Sequence, residues 1–127
     1  MTDYVTFAEE LAIHADQIER YGGSAGVRDQ GLLEGALFRP QTGYYRSLTE
    51  EAAALWESLS QNHPFVDGNK RTAFAITYTF IAINGARLTA SASESETFLL
   101  NLYSTGTFDF ALLSQWLREN VAYDASE

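Results

Sequence analysis

Residues 70–83, KRTAFAITYTFIAI, make an apolar run that closes on Asn84-Gly85. Apolar side chains fall on nearly every side at helical spacing, and an Asn-Gly pair suits a helix C-terminus because both residues tolerate the left-handed backbone that ends a helix. The β-branched residues Thr72, Ile76, Thr77, Thr79, Ile81 and Ile83 argue for a strand instead. Length decides between the two, since the run is far longer than an ordinary strand. A helix of this kind must be covered by its neighbours, so it is expected to be central and largely buried.

The rest of the chain supplies that cover as further helices. FAEELAIHADQIER at 7–20 carries Phe7, Leu11, Ile13 or His14, and Ile18 at helical spacing, and Tyr21-Gly22-Gly23 stops it. Asp29 is a candidate N-cap for a short second helix with Leu32, Leu33, Ala36 and Leu37 on one side and Pro40 as terminator. Thr49 and the acids behind it open a third helix that ends just before His63. ASASESETFLLNLYS and DFALLSQWLREN read as two more amphipathic helices with Ser or Asp caps. The fold class is therefore all-α, one domain over residues 1–127, with no internal repeat.

Composition removes several classes of function. There is no cysteine, which excludes disulfides, thiolate metal sites and a cysteine nucleophile. Eight basic against seventeen acidic residues give a net charge of −9, which does not suit direct nucleic acid binding through phosphate neutralisation. A small phosphorylated ligand differs, because it needs only a local positive pocket. The N-terminal residues lack the basic start and unbroken apolar stretch of a signal peptide, and no run approaches a membrane span, so a cytoplasmic protein is expected.

Lys70, the only lysine, and Arg71 stand at the start of the apolar helix, where the helix dipole disfavours cations by roughly 0.3–1 kcal/mol each. A phosphate would reverse that penalty, because free amides at a helix start bind oxyanions and both cations then attract. Asn69 is expected to cap the helix and also to touch the ligand, while Gly68 permits close approach. His63 and Asp67 bracket Pro64-Phe65-Val66 just upstream. An imidazole within reach of a hydroxyl can remove its proton, and a carboxylate beside phosphates can hold Mg²⁺. Taken alone, Asp67 in an Asp-Gly pair is more often an Asx-turn residue, and a Lys-Arg pair is more often solvated.

HPFVDGNKRTA at 63–73 resembles the signature of the Fic/Doc superfamily, in particular that of the death-on-curing (Doc) toxins, and GGSAGVRDQGLLEGALFRPQ looks like the Doc-type N-terminal region. The resemblance covers about residues 4–120 and implies the small helical Fic fold. It makes His63 the general base for a target hydroxyl, Asp67 the Mg²⁺ ligand, and Gly68, Asn69, Lys70 and Arg71 the phosphate cradle for ATP.

Two positions separate the branches of that family. The adenylylating branch has glycine where this chain has Lys70 and a second arginine where it has Phe74. The chain is similar instead to the Doc toxins, understood to pass the γ-phosphate of ATP to a threonine of elongation factor Tu and so stop translation. Kinase activity on a translation factor is the expectation, with adenylylation, or a catalytically silent binding module, as alternatives. No S/T-x-x-x-E-G/N inhibitory pattern is present, since Glu34-Gly35 follows Gln30 and Glu119-Asn120 follows Gln115. The resemblance therefore implies restraint by a cognate antitoxin whose helical tail covers the nucleotide site.

Other residues are expected to be structural. His14 is assigned no role, Asn62 is structural, and Trp56 and Trp116 face the core. Tyr44 and Tyr45 are either loop packing or, as the resemblance suggests, part of a flap that positions the target. Asp29 caps its helix, and Arg28 and Arg39 pair with carboxylates, with contact between either arginine and the nucleotide left open.

Overall fold

Thr6 opens the first helix, α1 (Phe7–Tyr21), with a reciprocal cap in which its side chain accepts from the Glu9 amide and the Glu9 carboxylate accepts from the Thr6 amide. A computed structural model describes residues 1–124; residues 125–127, within the expected bounds of the domain, lie outside the described residues. Asp29 caps α2 (Gln30–Phe38) as expected, its side chain accepting from the Leu32 amide. Pro40 does not stop the chain at once but sits in the first turn of a 3-10 segment, Arg39–Thr42, where its missing N–H costs nothing.

The third helix, α3 (Leu48–Gln61), is capped by Ser47 and not by Thr49. The Ser47 hydroxyl accepts from the Glu50 amide, while Thr49 is buried and meets only the Ser47 hydroxyl. The apolar run forms α4 (Asn69–Ile83). Its β-branched residues fit because Thr77 and Thr79 donate back to the carbonyls of Ala73 and Ala75, at 2.8 and 2.9 Å. Ser91 and Glu94 make a second reciprocal cap on α5 (Ala92–Thr105), and Asp109 caps α6 (Phe110–Asn120).

Helix α4 packs between α1 and α3, and α3 in turn packs against α2 and α6. Trp56 of α3, fully buried, is the hub of the core, with the rings of Phe74, Phe98, Phe108 and Trp116 all within 6.4 Å of its centroid. Aromatic rings at that spacing add to simple area burial, at roughly 0.5–1.5 kcal/mol per pair. Arg39 ties the 3-10 segment to this layer, its guanidinium donating to Glu57 at 2.8 Å while the other Glu57 oxygen accepts from the Phe110 amide at 2.7 Å. One face of α4 stays open, with Tyr78 half exposed.

A small sheet departs from a purely helical fold. Strand β1 (Ala86–Leu88) pairs antiparallel with β2 (Val121–Tyr123), Ala86 opposite Tyr123 and Leu88 opposite Val121. It fastens the end of α6 to the end of α4. No helix among the described residues is long and apolar enough to cross a membrane.

Candidate active site

The segment between α3 and α4 is short and held almost entirely by atoms from elsewhere. Residues 22–29 run alongside it. The Val66 amide donates to the Gly26 carbonyl at 3.0 Å, Val27 bridges Phe65, and the amides of Arg28 and Asp29 both donate to the Pro64 carbonyl, at 2.7 and 3.0 Å. Pro64 and Phe65 are buried in the joint between these two strips.

His63 stands at the near end of the loop with its side chain exposed and its backbone at φ 47°, a left-handed conformation uncommon outside glycine. Arg28 accounts for it. Its Nε donates to the His63 carbonyl at 2.7 Å and its Nη2 to the Asn62 carbonyl at 2.8 Å, so two successive carbonyls are turned toward one guanidinium. Arg28 thus serves carbonyls, not the carboxylate expected from the sequence, because the end of α3 leaves carbonyls without helical partners.

Asp67 lies beyond the apolar turn. Oδ2 accepts from the Ser24 amide at 3.1 Å and Oδ1 from its neighbour Gly68 at 2.8 Å. These two amides, the Ser24 bond foremost, hold its carboxyl below the usual range, so it is ionised at neutral pH. Its carbonyl accepts from His14 Nε2 at 2.8 Å, which identifies Nε2 as the protonated nitrogen. The His14 ring, only 4 % exposed, stacks on Phe65 at 4.0 Å and 6°. His14 is therefore a support of the loop, a role the sequence did not disclose.

Helix α4 begins differently from expectation. Its N-cap is Gly68 at φ 72°, with no side-chain cap, and Asn69 is the first helical residue. The Asn69 side chain instead closes a ring with Phe65, accepting from its amide at 2.9 Å and donating to its carbonyl at 3.0 Å. A carboxamide carries both a donor and an acceptor, so one side chain satisfies both backbone groups of a buried loop residue. Among the described residues no acceptor takes the amides of Asn69, Lys70 or Arg71. These are the free donors that a helix start offers an anion, and the His14 bond to Asp67 occupies the carbonyl next in line.

His63, Val66, Asp67, Gly68, Asn69, Lys70 and Arg71 line one open cleft of about 320 Å³. All the residues singled out from the sequence thus converge on the same cavity. The two cations are anchored from behind. Arg71 Nη2 donates to the Gly22 carbonyl, with its guanidinium over the Tyr21 ring, and the Lys70 ammonium lies over the Tyr103 ring at 4.4 Å. Tyr45 accepts from Arg39 and packs on Phe110, whereas Tyr44 projects into solvent.

A sequence model of the Fic/DOC family matches residues 4–81, which includes the loop together with His14, Arg28 and the strip from Gly22 to Asp29 that hold it. The chain belongs to the Fic/DOC family. It is 48% identical over 95 residues to Toxin Doc of Mycolicibacterium smegmatis, covering 71% of each chain. It is 33% identical over 89 residues to Protein kinase doc of Escherichia phage P1, covering 67% of this chain and 71% of that one. For a Fic/DOC chain, Phe74 is informative: its ring is partly buried and packs against the core, 5.6 Å from Trp56. Beside the cleft, a larger groove of about 1000 Å³ runs between α1 and α4, with Ile13, Phe74 and Tyr78 on its walls and Arg71 at its edge.

Proposed function

We propose that this protein is a Doc-type toxin that moves the γ-phosphoryl group of ATP to a hydroxyl of a protein target. The observation that carries this reading is the convergence of an exposed imidazole, an ionised carboxylate and a helix start with free amides on one cleft. The names of the two relatives, one a toxin and one a protein kinase, support the same reading.

In this scheme His63 takes the proton as the target oxygen attacks the γ-phosphorus, the bond to the bridging oxygen breaks, and ADP leaves. Phosphoryl transfer needs placement and charge neutralisation more than covalent help from the protein. The amides of α4, Lys70 and Arg71 supply both. Asp67 fits a hard cation: it is ionised, and each of its oxygens spends only one lone pair on an amide. Asp67 would hold Mg²⁺, which when bound neutralises charge on the phosphates.

Elongation factor Tu is the target that the resemblance to Doc toxins points to, and the consequence would be arrested translation. A cognate antitoxin would restrain the enzyme. The groove between α1 and α4, apolar on its walls and adjacent to Arg71, suits a helical segment placed against the nucleotide site. Phe74 weighs against adenylylation, because it stands where the adenylylating branch that the chain resembles carries its second arginine, and an apolar ring packed on Trp56 cannot bind a phosphate.

Incubation with a translation extract and ATP labelled at either the α or the γ phosphorus tests this reading. γ-Label on a protein band is expected. α-Label would assign adenylylation instead, and no label, together with no thermal shift in millimolar Mg-ATP, would leave a binding module without catalysis.

A further inference from the structure

We propose that Tyr103 is a positioning residue for Lys70, its ring holding the ammonium at the rim of the cleft so that it meets phosphate already in place. The inference rests on the phosphotransfer reading for what Lys70 does and on geometry for how it is held. Lys70 belongs to the first turn of α4, and Tyr103 to the last turns of α5. The ammonium lies 4.4 Å from the ring centroid, well within the range of a cation–π contact.

The ring itself cannot drift. Its hydroxyl bonds to the Ser60 hydroxyl at 2.5 Å, and its plane stacks on Phe108 at 4.6 Å and 18°. Ser60 and Phe108 are both buried, so Tyr103 is fixed by α3 on one side and by the turn before α6 on the other. Phe108 occupies one face of the ring, which leaves the opposite face for Lys70.

Lys70 also lines two cavities at once, the cleft with His63 and Asp67 and an apolar pocket of about 360 Å³ with Leu99, Leu100 and Tyr103. The residue therefore lies between them, with its ammonium over the Tyr103 ring. Among the described residues the ammonium makes no hydrogen bond or salt bridge, so its three N–H donors remain available while the ring face sets its position. A lysine has a flexible four-carbon stem, and fixing it beforehand removes an ordering cost that binding would otherwise carry.

Because Lys70 is the only lysine, protein grown on lysine labelled at Cε gives one side-chain resonance, which reports this contact directly. The ring current of Tyr103 is expected to displace that resonance to high field. Tyr103→Leu should return it to the position of free lysine, and Tyr103→Phe should keep it displaced, because the ring survives the loss of the hydroxyl. An undisplaced resonance in the native protein overturns the proposal even if Tyr103→Leu fails to fold.

Mg-ATP binding supplies the second measurement. Tyr103→Leu is expected to weaken binding about 2- to 5-fold, the worth of a cation–π contact at a solvent-facing site, and Tyr103→Phe to restore it. In a Lys70→Met background, Tyr103→Leu should change nothing further. An equal loss in both backgrounds would reduce Tyr103 to packing, and tighter binding in Tyr103→Leu would mean that the ring withholds the lysine; either result overturns the proposal. If the native protein binds no Mg-ATP, the phosphotransfer reading fails with the role in phosphate binding, and the resonance alone decides the pairing.

Discussion

Arg28 grips the backbone of His63: its Nε donates to the His63 carbonyl at 2.7 Å across 35 positions of sequence. The residue it grips is in the left-handed region, and the adjoining Asn62 carbonyl is held by the same guanidinium. The orientation of the proposed base is therefore set by a side chain that does not touch the reacting atoms.

Replacing Arg28 by Gln should leave nucleotide binding unchanged and lower the transfer rate by about 10²-fold, the scale of a roughly 1 Å misplacement of a catalytic group. Rate and Mg-ATP affinity measured on the same preparation check this. A parallel fall in both would point to collapse of the whole loop.

His63→Ala should abolish growth arrest and reduce transfer by about 10²- to 10⁴-fold, the usual contribution of a general base. The side chain is exposed and makes no hydrogen bond among the described residues, so stability should change by less than about 1 kcal/mol. Thermal melts beside a labelled-ATP assay separate the two effects. A well-folded variant that still arrests growth would remove His63 from its role.

Gly23→Ala perturbs Asp67 without replacing it. A Cβ there would lie 2.7 Å from Asp67 Oδ2 and 3.1 Å from Ile18 Cδ1, on a backbone at φ 117° that disfavours any side chain. Destabilisation of about 1–2 kcal/mol is expected from backbone strain alone, with the Ser24 bond to the carboxylate disturbed. Mg²⁺ titrations of activity should shift to higher concentration in step with those of Asp67→Asn, and coincidence with the native curve would dissociate Asp67 from the metal.

Glu10 makes stability depend on pH. It is fully buried on α1, neither carboxylate oxygen has a partner among the described residues, and burial pushes its carboxyl up to about 9. The folded state keeps the proton where the unfolded chain, titrating near 4.5, has lost it, so stability from this group is greatest in acid and falls as pH rises toward 9. The slope is at most about 1.4 kcal/mol per pH unit. Glu10→Gln should flatten urea midpoints between about pH 5 and pH 9 and raise the midpoint at the alkaline end. An unaltered slope would mean the carboxylate finds a partner when ionised.

The helices were legible because local chemistry specifies them. Thr6 with Glu9, Asp29, Ser91 and Asp109 each satisfy amides three or fewer residues ahead, and such caps can be read without knowing the fold. Thr49 was misread because Ser47, two residues earlier, competes for the same role and is the one left in extended conformation. Asn69 was misread because its partner is a loop backbone that only exists once the loop is folded. The site residues from His63 to Arg71 are contiguous, so their convergence on one cleft needed little from the rest of the chain.

By itself, then, the sequence determined the helices, the contiguous loop and the charge types at the cleft, since each depends on neighbours within a few residues. It did not disclose what holds the loop still. His14, Arg28, the strip from Gly22 to Asp29, and Tyr103 act on it from 33 to 53 residues away, and each was selected by packing. A buried histidine on an acidic helix and a tyrosine on a distant one look ordinary in a linear string. They acquire their roles only where the tertiary fold brings a carbonyl or an ammonium within 3 to 5 Å of them.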